Sequence, residues 1–219
     1  MFNSSTHSLV LRACREDMSS KNGFMWPTSG VVECPDWDSV PECGNGLHGW
    51  LYGHGDGNVS DYWSKNDKWL VVSVETYSII ELNGKVKFPK GEVLFCGDRK
   101  SATDFLMEHE PRSKDQPVIS AFITVSDNQT ATTGYNGTST SGDYGTSTSG
   151  NYGTSTSGKN GTSTSGNGGK SKAGVNGIIQ ITYYENNRKK LKVGYIGEDG
   201  LEPDTFYCLD ADFNFVKWE

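Results

Sequence analysis

Nothing in this 219-residue chain approaches the roughly 18 consecutive apolar residues of a membrane-spanning helix. Met1 to Asp17 also lacks the basic start and apolar core of a secretory leader. The chain therefore reads as soluble, unprocessed and cytoplasmic, with no membrane partner. Lys and Arg are outnumbered by Asp and Glu, 20 to 27, for a formal net charge of −7, and they crowd together only at Arg188–Lys192. That excludes the basic footprint of duplex binding, so nucleic acid is not an expected partner. Cysteine is scarce and odd in number: Cys14, Cys34, Cys43, Cys96 and Cys208 stand at irregular spacings, which argues against a disulfide framework and for a reducing compartment.

Apolar residues are also few, at 34%. The shortage is local, because Gly134 to Gly174 holds only Tyr135, Tyr144, Tyr152 and Ala173 from that class yet 12 of the 27 glycines. Outside that window the apolar content is ordinary for a globular protein. The chain thus joins two materials.

The poor window is a repeat. Thr138-Ser-Thr-Ser-Gly142 recurs at Thr146, Thr154 and Thr162 with a period of 8, and looser copies begin in register at Thr130 and Lys170. Two readings compete. A Gly/Ser/Thr segment without apolar side chains suits a flexible linker, since burial cannot offset its ordering entropy. A β-solenoid explains the strict register better, with two octads forming one coil of 16 residues and about three coils in all. Strand alternation then turns Thr138, Thr140, Thr146, Thr148, Thr154, Thr156, Thr162 and Thr164 outward and the intervening serines inward. Gly142, Gly150, Gly158 and Gly166 are expected to supply positive φ at the corners. Val118–Val125 and Ile178–Tyr184 are expected to cap the two ends.

Gly134-Tyr-Asn-Gly-Thr-Ser-Thr-Ser-Gly142 resembles the octad of bacterial ice-nucleation proteins, which implies a 16-residue coil and ordered threonine rows that can match a water lattice. Pro203-Asp-Thr-Phe-Tyr207 and Cys43-Gly-Asn-Gly-Leu-His48 are similar to motifs of uncharacterised phage and prophage repeat proteins. That second likeness implies a bacterial host's cytosol as location and no known activity.

The expected fold is mainly β: an α+β domain over residues 1–112, a connector with a leading strand over 113–126, the octad solenoid over 127–176, and a β-rich cap over 177–219. In the first domain, Trp69–Val74 and Val93–Cys96 read as strands, and Asn83-Gly84 as the turn of a hairpin from Ile79–Leu82 to Lys85–Phe88. Ser101–His109 reads as the helix, with Ser101 and Asp104 at its start and Phe105 and Leu106 facing the core. In the cap, Ile178–Tyr184 and Lys190–Ile196 pair around a polar Glu185–Lys189 loop. Lys189, Lys190 and Lys192 read as a solvated edge.

Cys34 to His54 is the segment richest in chemistry. Cys34, Cys43, His48 and His54 are ligand types for zinc but contain no close Cys-x-x-Cys pair. His48 with Trp37, Trp50 and Tyr52 could instead wall a ligand pocket, with Gly44, Gly46 and Gly49 permitting close approach. His48-Gly49 also resembles the first motif of the ADP-ribosyltransferase fold, for which Glu92 is the nearest acidic candidate. The bland alternative is a histidine bonded to backbone among turns. Gly53–Asn58 lacks the Gly-Lys-Ser/Thr of a phosphate loop, and Asp36 and Asp38 have no calcium-loop spacing.

With no complete catalytic set and no cofactor motif, the leading expectation is a non-enzymatic, phage-type binding or assembly protein that uses the solenoid as a scaffold and can form homo-oligomers. Binding of a small molecule such as a nucleotide signal, ice binding, and a transferase activity are the alternatives.

Overall fold

The structure is a computed structural model describing residues 2–219, and it divides into two compact units, the first ending at Ile119 and the second running Ser120–Glu219. The first unit holds β1 (His7–Cys14), β2 (Gly30–Glu33), β3 (Leu47–Leu51), β4 (Lys68–Glu75), β5 (Ile80–Leu82), β6 (Lys85–Phe88), β7 (Lys90–Gly97) and the helix α1 (Arg99–His109). Its strands form one antiparallel sheet in the order β2-β7-β4-β1-β3-β6-β5. The central pair, β1 and β4, carries the continuous runs Leu9–Leu11 and Leu70–Val72, all fully buried, as strands covered on both faces require. β5 and β6 make the expected hairpin, with Gly84 at φ +81°.

The helix begins two residues earlier than its sequence suggests. Asp98 is the cap, its carboxylate accepting from the Ser101 amide at 3.0 Å and from the Ser101 hydroxyl at 2.7 Å. Asp104 instead pairs with Lys100 one turn back. Leu106 is buried, whereas Phe105 is only partly so and stacks between Phe95 and His109. Pro111–Lys114 forms a 3₁₀ turn, so the expected connector at Ser113 is in part helical.

The second unit contains β8 (Phe122–Thr124), β9 (Thr130–Thr132), β10 (Thr138–Thr140), β11 (Thr146–Thr148), β12 (Thr154–Ser157), β13 (Thr162–Ser165), β14 (Lys170–Ala173), β15 (Ile178–Glu185), β16 (Arg188–Tyr195), β17 (Tyr207–Leu209) and β18 (Phe215–Lys217). β8, β10, β12 and β14 stack in parallel in one sheet, and β9, β11, β13 and β15 in a second. Each residue pairs with the one 16 positions on, as Thr138 does with Thr154 and Thr146 with Thr162. This is a β-solenoid of about four turns, one more than the repeat alone suggests. The additional turn comes from Phe122-Ile-Thr124, which keeps only Thr124 of the repeat's residues but pairs with Thr138–Thr140 in the same register.

The corners correct the expected role of the glycines. Positive φ falls on the seventh octad position counted from the strand's first residue, at Asn128, Asn136, Tyr144, Tyr152, Asn160, Gly168 and Asn176. Gly142, Gly150, Gly158 and Gly166 are not in that region. A Cβ on Gly150 would lie 2.7 Å from the carbonyl carbon of Gly134 and 2.7 Å from the amide nitrogen of Tyr135. Close approach of the preceding coil, rather than turn conformation, makes glycine necessary there.

At the C-terminal end, β16 pairs antiparallel with all of β15, and β17 and β18 continue the other sheet from β14. Asn186 and Asn187, both at positive φ, make a two-residue turn in place of the expected longer loop. Ala173, Ile179, Ile196, Leu201 and Tyr207 form an apolar plug. The Pro203–Tyr207 segment hooks onto the last coil, the Asp204 amide donating to Ala173 and the Tyr207 hydroxyl accepting from the Glu202 amide at 2.8 Å. Phe213 leaves strand geometry, at φ +60°, and stacks on Tyr183 at 4.3 Å.

Candidate functional site

Inside the solenoid the residues are small and polar. Ser139, Ser147, Ser155, Ser163 and Ser171 are fully buried, and the first three are linked by hydroxyl hydrogen bonds of 2.7 Å (Ser147 to Ser139) and 2.9 Å (Ser155 to Ser147). The hydroxyls of Ser141, Ser149, Ser157 and Ser163 are buried with no protein partner. Such orphans cost about 1–3 kcal/mol each, so order rests on the backbone ladders. Side-chain rungs reinforce the corners: the Asp127 carboxylate accepts from the Asp143 amide, Asp143 from that of Lys159, and Asn151 from that of Asn167, at 2.8–3.0 Å.

The threonines face outward, where strand alternation around a serine core must put them, and they divide between two faces. Thr138, Thr140, Thr154 and Thr156 lie on β10 and β12. That face is bounded by Phe122 on β8 and by Lys170 and Lys172 on β14. The two ammonium groups sit 4.6 Å over the rings of Trp218 and Phe206 respectively, so aromatic bulk adjoins this face. Thr146, Thr148, Thr162 and Thr164 lie on β11 and β13, and pairing with β9 adds Thr130 and Thr132. The result is three successive Thr-x-Thr rungs without interruption. Thr130 and Thr132 sit in a looser copy of the repeat, and the 16-residue register is the signal that places them on the face.

In the first unit, a cavity of about 500 Å³ is lined by Arg12, Trp26, Cys34, Cys43, His48, Trp50, Tyr62 and Lys85, among others. His48 sits on the strand β3, not in the glycine-rich turn its sequence suggests. Burial, then the charges of Lys85, Arg12 and Lys87, push its pKa down to about 4, so the ring is neutral at pH 7. Trp50 stacks on Trp69 at 5.9 Å and donates from Nε1 to Asp56 at 3.1 Å. Trp37 and Tyr52 do not line the cavity. Lys87 covers the Trp37 ring, while Tyr52 lies under the Arg112 guanidinium with its hydroxyl 3.3 Å from that of Ser8. Gly49 admits β1 rather than a ligand, since a Cβ there would meet the Leu11 carbonyl oxygen at 2.6 Å.

Of the four zinc-type residues, Cys34, Cys43 and His48 line the cavity and His54 does not, and they form no metal site. Cys34 donates to Asp36, Cys43 lies 3.0 Å from the Lys85 ammonium, and the His54 Nε2 is 3.0 Å from the Ser113 carbonyl. No group of three His, Cys, Asp or Glu side chains could hold a metal ion among the described residues. Glu92 is exposed on β7 and does not line the cavity, so the transferase constellation is not assembled around His48. Arg12, which the sequence reading overlooked, contributes a charge here.

Comparison with known proteins finds two kinds of similarity. Residues 8–108 match the family described as "Domain of unknown function (DUF7666)". The repeat region is homologous to ice nucleation proteins. Among these relatives, InaU of Pantoea ananas is 37% identical over 103 residues, covering 46% of this chain and 10% of that protein. An ice nucleation protein of Pseudomonas syringae is 41% identical over 101 residues, covering 45% and 9%. One of Pseudomonas fluorescens is 37% identical over 130 residues, covering 57% and 10%. The chain thus spans about a tenth of the length of the curated relatives it matches. No solved structure matches it. The phage-type binding or assembly role expected from the sequence finds no support in these relatives. Among the described residues no helix is long and apolar enough to cross a membrane.

Proposed function

We propose that the solenoid is an ice-binding surface and that the working face is the β9-β11-β13 sheet. The observation that carries the reading is the uninterrupted array of Thr130, Thr132, Thr146, Thr148, Thr162 and Thr164 in register across three coils. Coils stack at about 4.7–4.9 Å, and alternate residues along a strand lie about 6.7 Å apart, so the hydroxyls form a two-dimensional lattice. β-branching restricts each χ1, which fixes hydroxyl and methyl together instead of leaving them to rotate. Such a face orders first-layer water through its hydroxyls and sheds it easily from its methyls. Homology to ice nucleation repeats supports the same reading. The array extends about 10 Å across the coils by about 7 Å, which suits adsorption to an existing crystal rather than freezing of bulk water.

The test is partition of the full chain into slowly growing ice, with observation of crystal shape. The double substitution Thr146→Lys and Thr148→Lys is expected to abolish enrichment and shaping. It leaves the fold intact, because Lys170 and Lys172 already occupy equivalent outward positions. Thr154→Lys with Thr156→Lys, on the other face, is expected to retain most of the effect. Absence of enrichment and shaping by the unaltered chain at high concentration would overturn the proposal.

A further inference from the structure

We propose that the first unit binds a nucleoside phosphate in the cavity lined by β1, β3 and the loops beside them, with Arg12 as the anion anchor. This inference concerns that unit alone and is independent of the ice-binding reading.

Three buried nitrogens with no hydrogen-bond partner, Arg12 Nε, Trp26 Nε1 and His48 Nε2, belong to side chains that all line this one cavity. Native proteins leave few such groups unsatisfied, and three of them among the residues of one cavity mark it as a place for a polar ligand. Arg12 is the most informative of the three. Its guanidinium is held between the rings of Trp26 and Tyr62, each centroid 5.3 Å away, hydrogen-bonds the Tyr62 side chain, and donates from Nη1 to the His48 carbonyl at 3.3 Å. No carboxylate among the described residues forms an ion pair with it. Arg112, by contrast, is fully paired to Glu110 through two nitrogens at 2.6 and 2.8 Å. An unpaired, desolvated cation is costly, and an incoming anion removes that cost.

Lys85 adds a second positive charge to the lining. Both nearby carboxylates are engaged, Asp61 with Lys21 at 3.0 Å and Asp36 with the Cys34 thiol. A volume of about 500 Å³ exceeds what an inorganic anion needs and falls in the range of sites for organic molecules. Trp50, Trp26 and Tyr62 add aromatic surface to the lining beside the guanidinium that Trp26 and Tyr62 hold, and neutral His48 offers one further hydrogen bond. Phosphate on Arg12 and Lys85 with a base against that aromatic surface uses every one of these features.

Isothermal titration of the full chain with AMP, GMP, CMP and UMP, with the matching nucleosides, and with inorganic phosphate tests the assignment. At least one monophosphate is expected to bind, at least tenfold tighter than its nucleoside and than phosphate alone. Arg12→Gln is expected to weaken that binding at least tenfold. Should Arg12→Gln fail to fold, Lys85→Ala and His48→Gln decide the matter, each with an expected loss of about threefold or more. Absence of binding by all four monophosphates at millimolar concentration overturns the proposal. So does equal affinity for nucleoside and nucleotide, or binding indifferent to Arg12→Gln in a folded protein or to both other substitutions.

Discussion

Replacing Gly150 by alanine asks whether the coils touch as closely as described. The residue has an ordinary φ, so an alanine there meets no conformational objection. Its added methyl, however, would lie 2.7–2.8 Å from three backbone atoms of Gly134 and Tyr135 in the preceding coil. The coil cannot retreat freely, because the Gly150 amide is shared between the carbonyls of Thr133 and Gly134, both at 3.1 Å. Overpacking costs about 1–3 kcal/mol, and loosening the shared bond adds about 1 kcal/mol. Reduced freedom of the unfolded chain returns about 0.4–1 kcal/mol. The expected net loss is about 2 kcal/mol, which amounts to a roughly thirtyfold rise in the exchange rate of solenoid amides that open with the unit. Tyr144→Asn is the matched comparison. Tyr144 is 61% exposed at φ +56°, a conformation asparagine tolerates better, so stability should hold or rise by about 0.5 kcal/mol. Hydrogen exchange by mass spectrometry reads both. Exchange in Gly150→Ala within threefold of the parent would refute the close coil contact.

Glu110 is fully buried, accepts from the Leu9 amide at 3.0 Å and is bound by Arg112, so Glu110→Ala should destabilise the first unit by about 3–5 kcal/mol in urea unfolding; a loss under 1 kcal/mol would contradict the pairing. His48 has a folded pKa of about 4 against an ordinary 6.5. The unfolded chain therefore takes up the proton first, and the stability present above pH 6.5 is lost as pH falls toward 4. Discounted for the partial exposure of the ring, the loss is about 2 kcal/mol, and His48→Gln should flatten that part of the pH profile of unfolding. Tyr207→Phe removes the acceptor for the Glu202 amide and should cost the cap about 1 kcal/mol, measured as faster exchange at Glu202.

The octad register was legible because each half-coil repeats the same strand and corner, so a period of 8 in the residues becomes a ladder that pairs positions 16 apart. The first turn was legible only through pairing, since Phe122-Ile-Thr124 keeps just one Thr of the repeat and none of its Ser and Gly. The corner glycines were misread because composition signals glycine without saying whether φ or proximity demands it. In the first unit, β1 went unnoticed because Arg12 breaks its apolar run, and that same arginine is the charge in the cavity. His48 and Trp50 were found together because residues two apart on a strand share a face; Trp37 and Tyr52 belong to other environments that linear proximity cannot distinguish.

The account rests on coils that are laddered rather than tethered, and backbone amide exchange across residues 120–181 measures that directly. The corner amides are the most telling, because those of Asn128, Asn136, Tyr144, Tyr152 and Asn160 each donate at 2.8–2.9 Å to a residue 15 positions on. Slow exchange at these corners and at the Thr-x-Thr rungs alike is the expected result. Exchange at the rate of an unstructured chain across the repeat would contradict the solenoid and, with it, the threonine face.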